Sequence, residues 1–325
     1  MDTVAPRKRF DLVAYLKLFR FPLVFTAIAD SATGYLLARS RPEHAWHFLA
    51  LAVASAGLYC FGMALNDIAD RDRDKAIAPG RVLPSGRLTL RSAVVAAGGC
   101  LGVSLGALVL LNETPLPQRF LLWGLVVAGI VVYDMLVKVP PVMGLVRAFN
   151  LFLGVSAAMS LSNLWGERSW IFGMVALPSL VYVSALTYVS TLEEGEVDRR
   201  KLIAGVLFMM IGILLASLVV RVLSEAIDNS VEGLGAGALS ASIKNAADHW
   251  HGIPFGAVLG AWVLRRACSA KDKKSIMLLI RDGVGGIIVL DAALLGSFSG
   301  LLPALCIAAL VIPAAISVAI FKRLA

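Results

Sequence analysis

Residues 46–74 read WHFLALAVASAGLYCFGMALNDIADRDRD. Between Trp46 and Asn66 there is no Asp, Glu, Lys or Arg. A helix over that run rises 1.5 Å per residue and is about 31 Å long, the thickness of the hydrocarbon core of a bilayer. The run then ends in Asn66-Asp67-Ile68-Ala69-Asp70-Arg71-Asp72-Arg73-Asp74. One stretch thus holds a membrane-crossing helix and, at its end, an acidic segment that calls for a reason.

The rest of the chain repeats the apolar pattern. Of 325 residues, 58% are apolar and 16% charged, and the mean hydropathy is +0.81. Soluble domains average about 45–50% apolar and about 25% charged, so a soluble enzyme, a disordered chain and a disulfide-rich secreted domain are excluded. The apolar runs are unbroken, whereas the strands of an outer-membrane barrel would alternate apolar and polar residues. The fold class expected is all-α, a polytopic transmembrane helical bundle of nine or ten spans. These lie near 22–40, 46–66, 92–111, 118–137, 142–162, 170–192, 202–223, 252–268, 277–297 and 300–321.

Charge supplies an independent check on this layout. If the N-terminus with Arg7, Lys8 and Arg9 is cytoplasmic, the loops after even-numbered spans should be basic. Residues 71–91, Lys138 with Arg147, residues 199–201, residues 265–281 and the tail with Lys322 and Arg323 follow that rule. The loop 224–251 is acidic and is expected outside. The layout predicts a multi-pass protein of the cell (inner) membrane with both termini cytoplasmic. Residues 1–21 form a cytoplasmic segment with an amphipathic helix near 10–20, and residues 22–325 form a single transmembrane domain. The net charge of +8 belongs to the membrane rule and implies no nucleic acid. Cys60, Cys100, Cys268 and Cys306 form no CxxC and read as inert thiols.

At 100° per residue, Asp67, Asp70 and Asp74 fall on one helical face, with Asn66 at its edge and Asp72 elsewhere. Like charges at this spacing destabilise a helix unless something neutralises them. Hard oxygen ligands suit Mg²⁺, which bridges one or two carboxylates to substrate phosphates. The plain alternative is a solvated helix end with Arg71 and Arg73 as counter-charges. A second acidic group, Thr191-Leu192-Glu193-Glu194-Gly195-Glu196-Val197-Asp198, reaches the same side of the membrane. Glu194 and Asp198 at i, i+4 share a helical face. Two acidic helix ends at one surface can make a divalent-metal cage for one diphosphate.

Asp30 and Asp291 fall at membrane depth, where a charge is costly and faces a cavity or a partner. Acceptor recognition or proton transfer is one reading. A neutral carboxyl bonded to another helix is the other. Arg147 and Asn150 stand one turn apart at the start of the fifth span, and Arg147 is expected to reach the diphosphate. His249 and His251 alone make no metal site. No nucleotide- or haem-binding motif is present.

The NDxxDxxxD of 66–74 followed by Arg81-Val82-Leu83-Pro84-Ser85-Gly86-Arg87 resembles the first signature of the UbiA superfamily of membrane prenyltransferases. The likeness extends to PLVFTAIADSATGYLLA (22–38), to Tyr133–Lys138 and to the second acidic motif. FTAIAD, MGLVRAFNLFLG (143–154) and GIIVLDAALLG (286–296) are most similar to the EboC-like branch. The resemblance implies a UbiA-like fold and a transferase of isoprenoid biosynthesis that moves alkyl groups other than methyl. It implies Mg²⁺ as cofactor, with a prenyl diphosphate, an unidentified acceptor and the bilayer as partners. Carried over by position, Asn66, Asp67, Asp70, Asp74, Glu194 and Asp198 hold metal, with Asp70, Asp74, Asp198 and Lys138 central to catalysis. Asn66, Arg81, Arg87 and Lys138 face the diphosphate, and Arg147 joins them on its own position at the start of the fifth span. Two departures stand out. Tyr133–Lys138 is one residue longer than the family's YxxxK, and the second motif begins with Glu rather than Asp. They motivate a second reading, a prenyltransferase-like protein that binds or exports an isoprenoid or other metabolite without turnover.

Overall fold

Asp11 accepts the Ala14 N–H at 2.9 Å and so caps the first helix, α1 (Leu12–Leu18). The structure is a computed structural model and describes residues 11–39, 45–111, 114–161, 170–193, 198–222 and 250–324. Helix α1 buries Ala14 and Leu18 and exposes Leu12, the two-sided pattern of a helix lying on a surface. A short turn at Phe21–Leu23 leads into α2 (Val24–Ala38). There follow α3 (Ala45–Ala69), α4 (Arg71–Ile77), α5 (Leu90–Leu110), α6 (Leu116–Val131), α7 (Pro140–Ala158), α8 (Trp170–Ser190) and α9 (Arg199–Val222). The chain closes with α10 (Gly252–Ser269), α11 (Lys273–Gly285), α12 (Ile287–Ser299), α13 (Leu301–Ala308) and α14 (Val311–Leu324). No strand occurs among the described residues.

Eight segments are long and apolar enough to cross a membrane, among the described residues. The expected spans at 252–268 and 277–297 correspond to α10 and to α11 with α12, and they are not among those eight. Helix α10 carries Arg265 and Arg266 near its end, and the next segment is divided at Gly285–Gly286. The expected outer loop 224–251 lies outside the described residues except for its last two.

Burial separates a centre from a rim. The spans formed by α2 and α7 are each 72% buried inside the protein, against 22% for α6 and 11% for the last span. Val95 on α5, Leu121 on α6 and Ile312 on α14 are exposed, as side chains that face lipid should be. Helix α2 is the central post and packs against α3, α7 and α12. Its crossing with α7 requires glycine twice. A Cβ on Gly34 would collide with the Leu151 carbonyl, and one on Gly154 with the Ser31 carbonyl. Small residues let membrane helices approach closely where no hydrophobic force between them exists. On the rim side, α3 packs against α5, and there the Cys60 and Cys100 thiols touch.

Candidate active site at the polar end of the bundle

The acidic segment sits where α3 passes into α4. The Asp70 N–H donates to the Asn66 carbonyl at 2.9 Å, and the Asp74 N–H to the Asp70 carbonyl at 2.8 Å. The i→i−4 ladder thus continues through the junction and preserves the helical register. Side-chain exposure follows that register: 8% for Asp67, 16% for Asp70 and 3% for Asp74, against 84% for Asp72. Asp72 points into solvent beside Lys75, whose ammonium holds its carboxyl below the usual carboxylate range.

Each inward carboxylate meets a cation from a different segment. Arg20 donates to Asp67 at 3.3 Å. Lys138 reaches both Asp70 oxygens, at 2.5 and 2.6 Å. Arg81 donates to Asp74 at 2.6 Å. Arg73 stands 3.8 Å from Asp70. The cationic side chains are 36–41% exposed, so these pairs lie at a water-accessible edge. Arg20 is the one non-glycine residue with positive φ, at 45°, among the described residues. That conformation costs of order 1–3 kcal/mol and is retained where surroundings hold it, often at functional sites.

The longer Tyr133–Lys138 element has a structural answer. Residues Val132–Leu136 form one π-helical turn, closed by the Val137 N–H donating to the Val132 carbonyl at 2.8 Å. An i→i+5 turn holds one residue more than an α turn, and such bulges recur at functional sites. The additional residue is absorbed there, and Lys138 arrives at Asp70. The same turn brings Asp134 towards Asp70, Asp67, Lys138 and Arg20. Glu193, at the end of the turn Thr191–Glu193 after α8, faces Arg20 and Arg81.

Sequence reasoning misses Arg20, Asp134 and Glu193 as site residues. Arg20 carries a usable signal, since it lies at the junction of the amphipathic helix and the first span, on the side where loop charge puts the acidic ends. Asp134 carries none, because only the π turn aims it inward.

The remaining predicted residues are spread more widely. Asp198 stands just before α9, where its Oδ1 accepts the Arg200 N–H at 2.9 Å and the Lys201 N–H at 3.3 Å. Glu194 lies outside the described residues. Arg87 donates to Asp11 at 2.8 Å and holds that carboxyl below its usual range. Gly86, at φ 73°, turns the chain just before it. Arg147 and Asn150 lie deeper, on the buried face of α7, where Arg147 is 2.9 Å from Asp30. Asn66 lies at the end of α3 beside Asp67.

The donor set is all carboxylate oxygen, the chemistry of a hard divalent cation. Among the described residues no three carboxylate, imidazole or thiol side chains converge closely enough to make a closed cage. Mg²⁺ needs none, since it typically takes one or two carboxylates and completes its shell with water and substrate phosphate. Asp67, Asp70 and Asp74 therefore fit that ion. Cations interleaved with these acids at an accessible edge can turn to a polyanion when the acids turn to a metal.

Several solved structures share the fold. A structure of digeranylgeranylglyceryl phosphate synthase covers 88% of this chain and 98% of its own, at 16% identity and a TM-score of 0.55. A UbiA homologue from Archaeoglobus fulgidus bound to GPP and Mg²⁺ covers 86% and 99%, at 15% identity and a TM-score of 0.53. An apo UbiA homologue from Aeropyrum pernix covers 83% and 96%, at 20% identity and a TM-score of 0.54. In sequence, the chain is 28% identical over 198 residues to digeranylgeranylglyceryl phosphate synthase of Metallosphaera sedula, which is 57% of this chain and 63% of that one. It is 38% identical over 82 residues to the synthase of the same name from Methanococcus aeolicus, 25% of this chain and 29% of that one. The matched stretches thus span less than two thirds of these curated relatives. The sequence profile of the UbiA prenyltransferase family matches residues 23–204, which include α2 to α8, the acidic segment and Lys138, and the chain belongs to that family.

Proposed function

We propose that this protein transfers a prenyl group from a prenyl diphosphate to an aromatic or other small acceptor within the membrane, with Mg²⁺ as cofactor. One observation carries the reading. Asp67, Asp70 and Asp74 share the inward face where α3 passes into α4, and each is held by a cation from a separate segment. Asp67, Asp70 and Asp74, with Asn66 at their edge, would hold the metal, and Glu194 and Asp198 would complete it from the second motif. When bound, Mg²⁺ neutralises the charge that develops on the leaving diphosphate. Lys138 and Arg81 then exchange their carboxylate partners for diphosphate oxygens, and Arg87 extends that cationic edge. Once turned to the diphosphate, these cations stabilise the charge that develops on the leaving group. The bundle keeps water from the allylic cation and leaves room in the bilayer for an isoprenoid tail. The loop charges support a cytoplasmic mouth, and the relatives' name supports including an alcohol of the glyceryl-phosphate type among the acceptors tried.

The test uses the full chain in lipid with radiolabelled geranylgeranyl diphosphate, Mg²⁺ and a panel of acceptors. Diphosphate release that depends on acceptor supports transfer. Tight binding without turnover across the panel would favour the second reading, a protein that binds or exports an isoprenoid. Asp70→Asn and Asp198→Asn each remove one charge and should slow turnover about 10²–10³-fold. Asp72→Asn should leave it unchanged, and equal near-normal turnover in all three variants would sink the proposal.

A further inference from the structure

Beneath the acidic mouth, α2, α7 and α12 enclose a second group of charges. Asp30 and Asp291 are both 0% exposed, and Arg147 is 7% exposed. Arg147 Nε lies 2.9 Å from Asp30 Oδ2, and Arg147 also donates to the Thr26 carbonyl at 2.9 Å. The Asn150 amide donates to the same Asp30 Oδ2 at 3.2 Å and to the Ala27 carbonyl at 2.8 Å. Ser55 of α3 adds a hydroxyl to the Ala27 carbonyl at 2.7 Å. Tyr59 of α3 stands near Arg147. Asp30 Oδ2 is thus supplied with one hydrogen-bond donor, Asn150, and a guanidinium beside it.

The other three carboxyl oxygens are not. Asp30 Oδ1 and both oxygens of Asp291 are buried without a donor. Yet the Asp291 carboxyl touches that of Asp30, and the charged groups bearing on it are Asp30 and Arg147. Two ionised carboxylates in contact, away from water, with one arginine between them leave one negative charge unmatched. An unpaired buried charge is not retained, and the group neutralises instead. Arg keeps its charge throughout. A contact between two oxygens that only accept becomes attractive when one of them carries a proton, as where two carboxyls share a site.

We propose that Asp30 and Asp291 form an intramembrane proton-binding site, in which one proton held between the two carboxyls completes the charge balance with Arg147 and joins α12 to α2. One O–H satisfies Asp30 Oδ1 and one Asp291 oxygen together. Because Arg147 balances one negative charge in total, the arrangement needs one ionised carboxyl and one acid. The inference is independent of the prenyl-transfer reading.

Infrared difference spectroscopy on the full chain in lipid reads the acid directly, through its C=O stretch, at neutral pH. Asp291→Asn should remove that band and leave the protein folded, since an amide replaces a neutral acid. Asp30→Asn should also remove it, because Asp291 then becomes the single carboxylate paired with Arg147. Arg147→Gln should instead raise the band about twofold, as both carboxyls become acids. A second readout does not use the band. A carboxyl that keeps its proton when folded and loses it when unfolded makes the folded state bind more protons, so stability falls as pH rises. In mixed micelles the wild-type unfolding constant should therefore rise by up to tenfold per pH unit relative to Asp291→Asn, above the range where a free carboxyl titrates. The proposal is overturned if neither aspartate variant removes acid absorbance, or if wild type and Asp291→Asn show the same pH slope. Should Asp291→Asn not fold, Asp30→Asn and Arg147→Gln carry the same decision.

Discussion

At the mouth, Asp67, Asp70 and Asp74 each meet their own cation, and those cations are more than a third exposed. In the core, Asp30 and Asp291 share Arg147, and all three are buried. Both regions pair aspartate with a basic side chain, but water separates their chemistry. An ion pair at a wet edge is worth little and is readily exchanged for a better partner. A buried pair is costly to form and more costly to break by halves. The mouth is therefore built for trading partners, which suits binding. The core is built for keeping them, which suits fixing how three helices meet.

The largest expected effect tests the core. Asp30→Asn combined with Asp291→Asn leaves Arg147 buried without a counter-charge and should cost about 3–5 kcal/mol of stability. Each substitution alone should cost far less, because the remaining carboxyl takes over. Unfolding of both single variants and the double variant in mixed micelles measures this, and additive losses would remove the distinction between core and mouth. At the mouth the balance reverses. Asp74→Asn should lower prenyl-diphosphate turnover about 10²–10³-fold, equivalent to about 2.7–4 kcal/mol of transition-state stabilisation. Its melting temperature should stay near wild type, so kinetics and unfolding on one preparation separate the two effects.

A third variant links the regions. Gly154→Ala forces a Cβ against the Ser31 carbonyl and must part α2 from α7. Overpacking of this kind typically costs about 1–3 kcal/mol. The melting temperature should fall, whereas the surviving folded protein should still bind diphosphate with Mg²⁺, which calorimetry would show. The smallest effect is expected at Asp72→Asn. Lys75 holds the Asp72 carboxyl below its usual range, so its small contribution exists above that range and fades as pH falls through it. Melting curves of this variant and wild type should lie close together near neutral pH and converge in acid. A clear difference at neutral pH would show that the outward face of α4 also has work to do.

Some of this was legible from residue order alone. Unbroken apolar runs fix an all-α membrane bundle, because every backbone polar group in lipid must be satisfied within its own helix. The spacing of Asp67, Asp70 and Asp74 fixes their common face, because a helical ladder has one period. It equally excludes Asp72, which the structure leaves 84% exposed. Other features depended on packing. Counting residues makes Tyr133–Lys138 one too long, and only the π turn shows how Lys138 still meets Asp70. That Asp198 caps α9 is likewise a matter of the assembled chain. Arg147, expected near a diphosphate, is engaged by Asp30. Asp30 and Asp291 are 261 positions apart, and nothing in their local sequence announces that their carboxyls touch. Periodicity and charge act over a few residues, so the sequence states them openly. Which buried groups meet is settled by how glycine-lined helices cross, and that is a property of the assembled bundle.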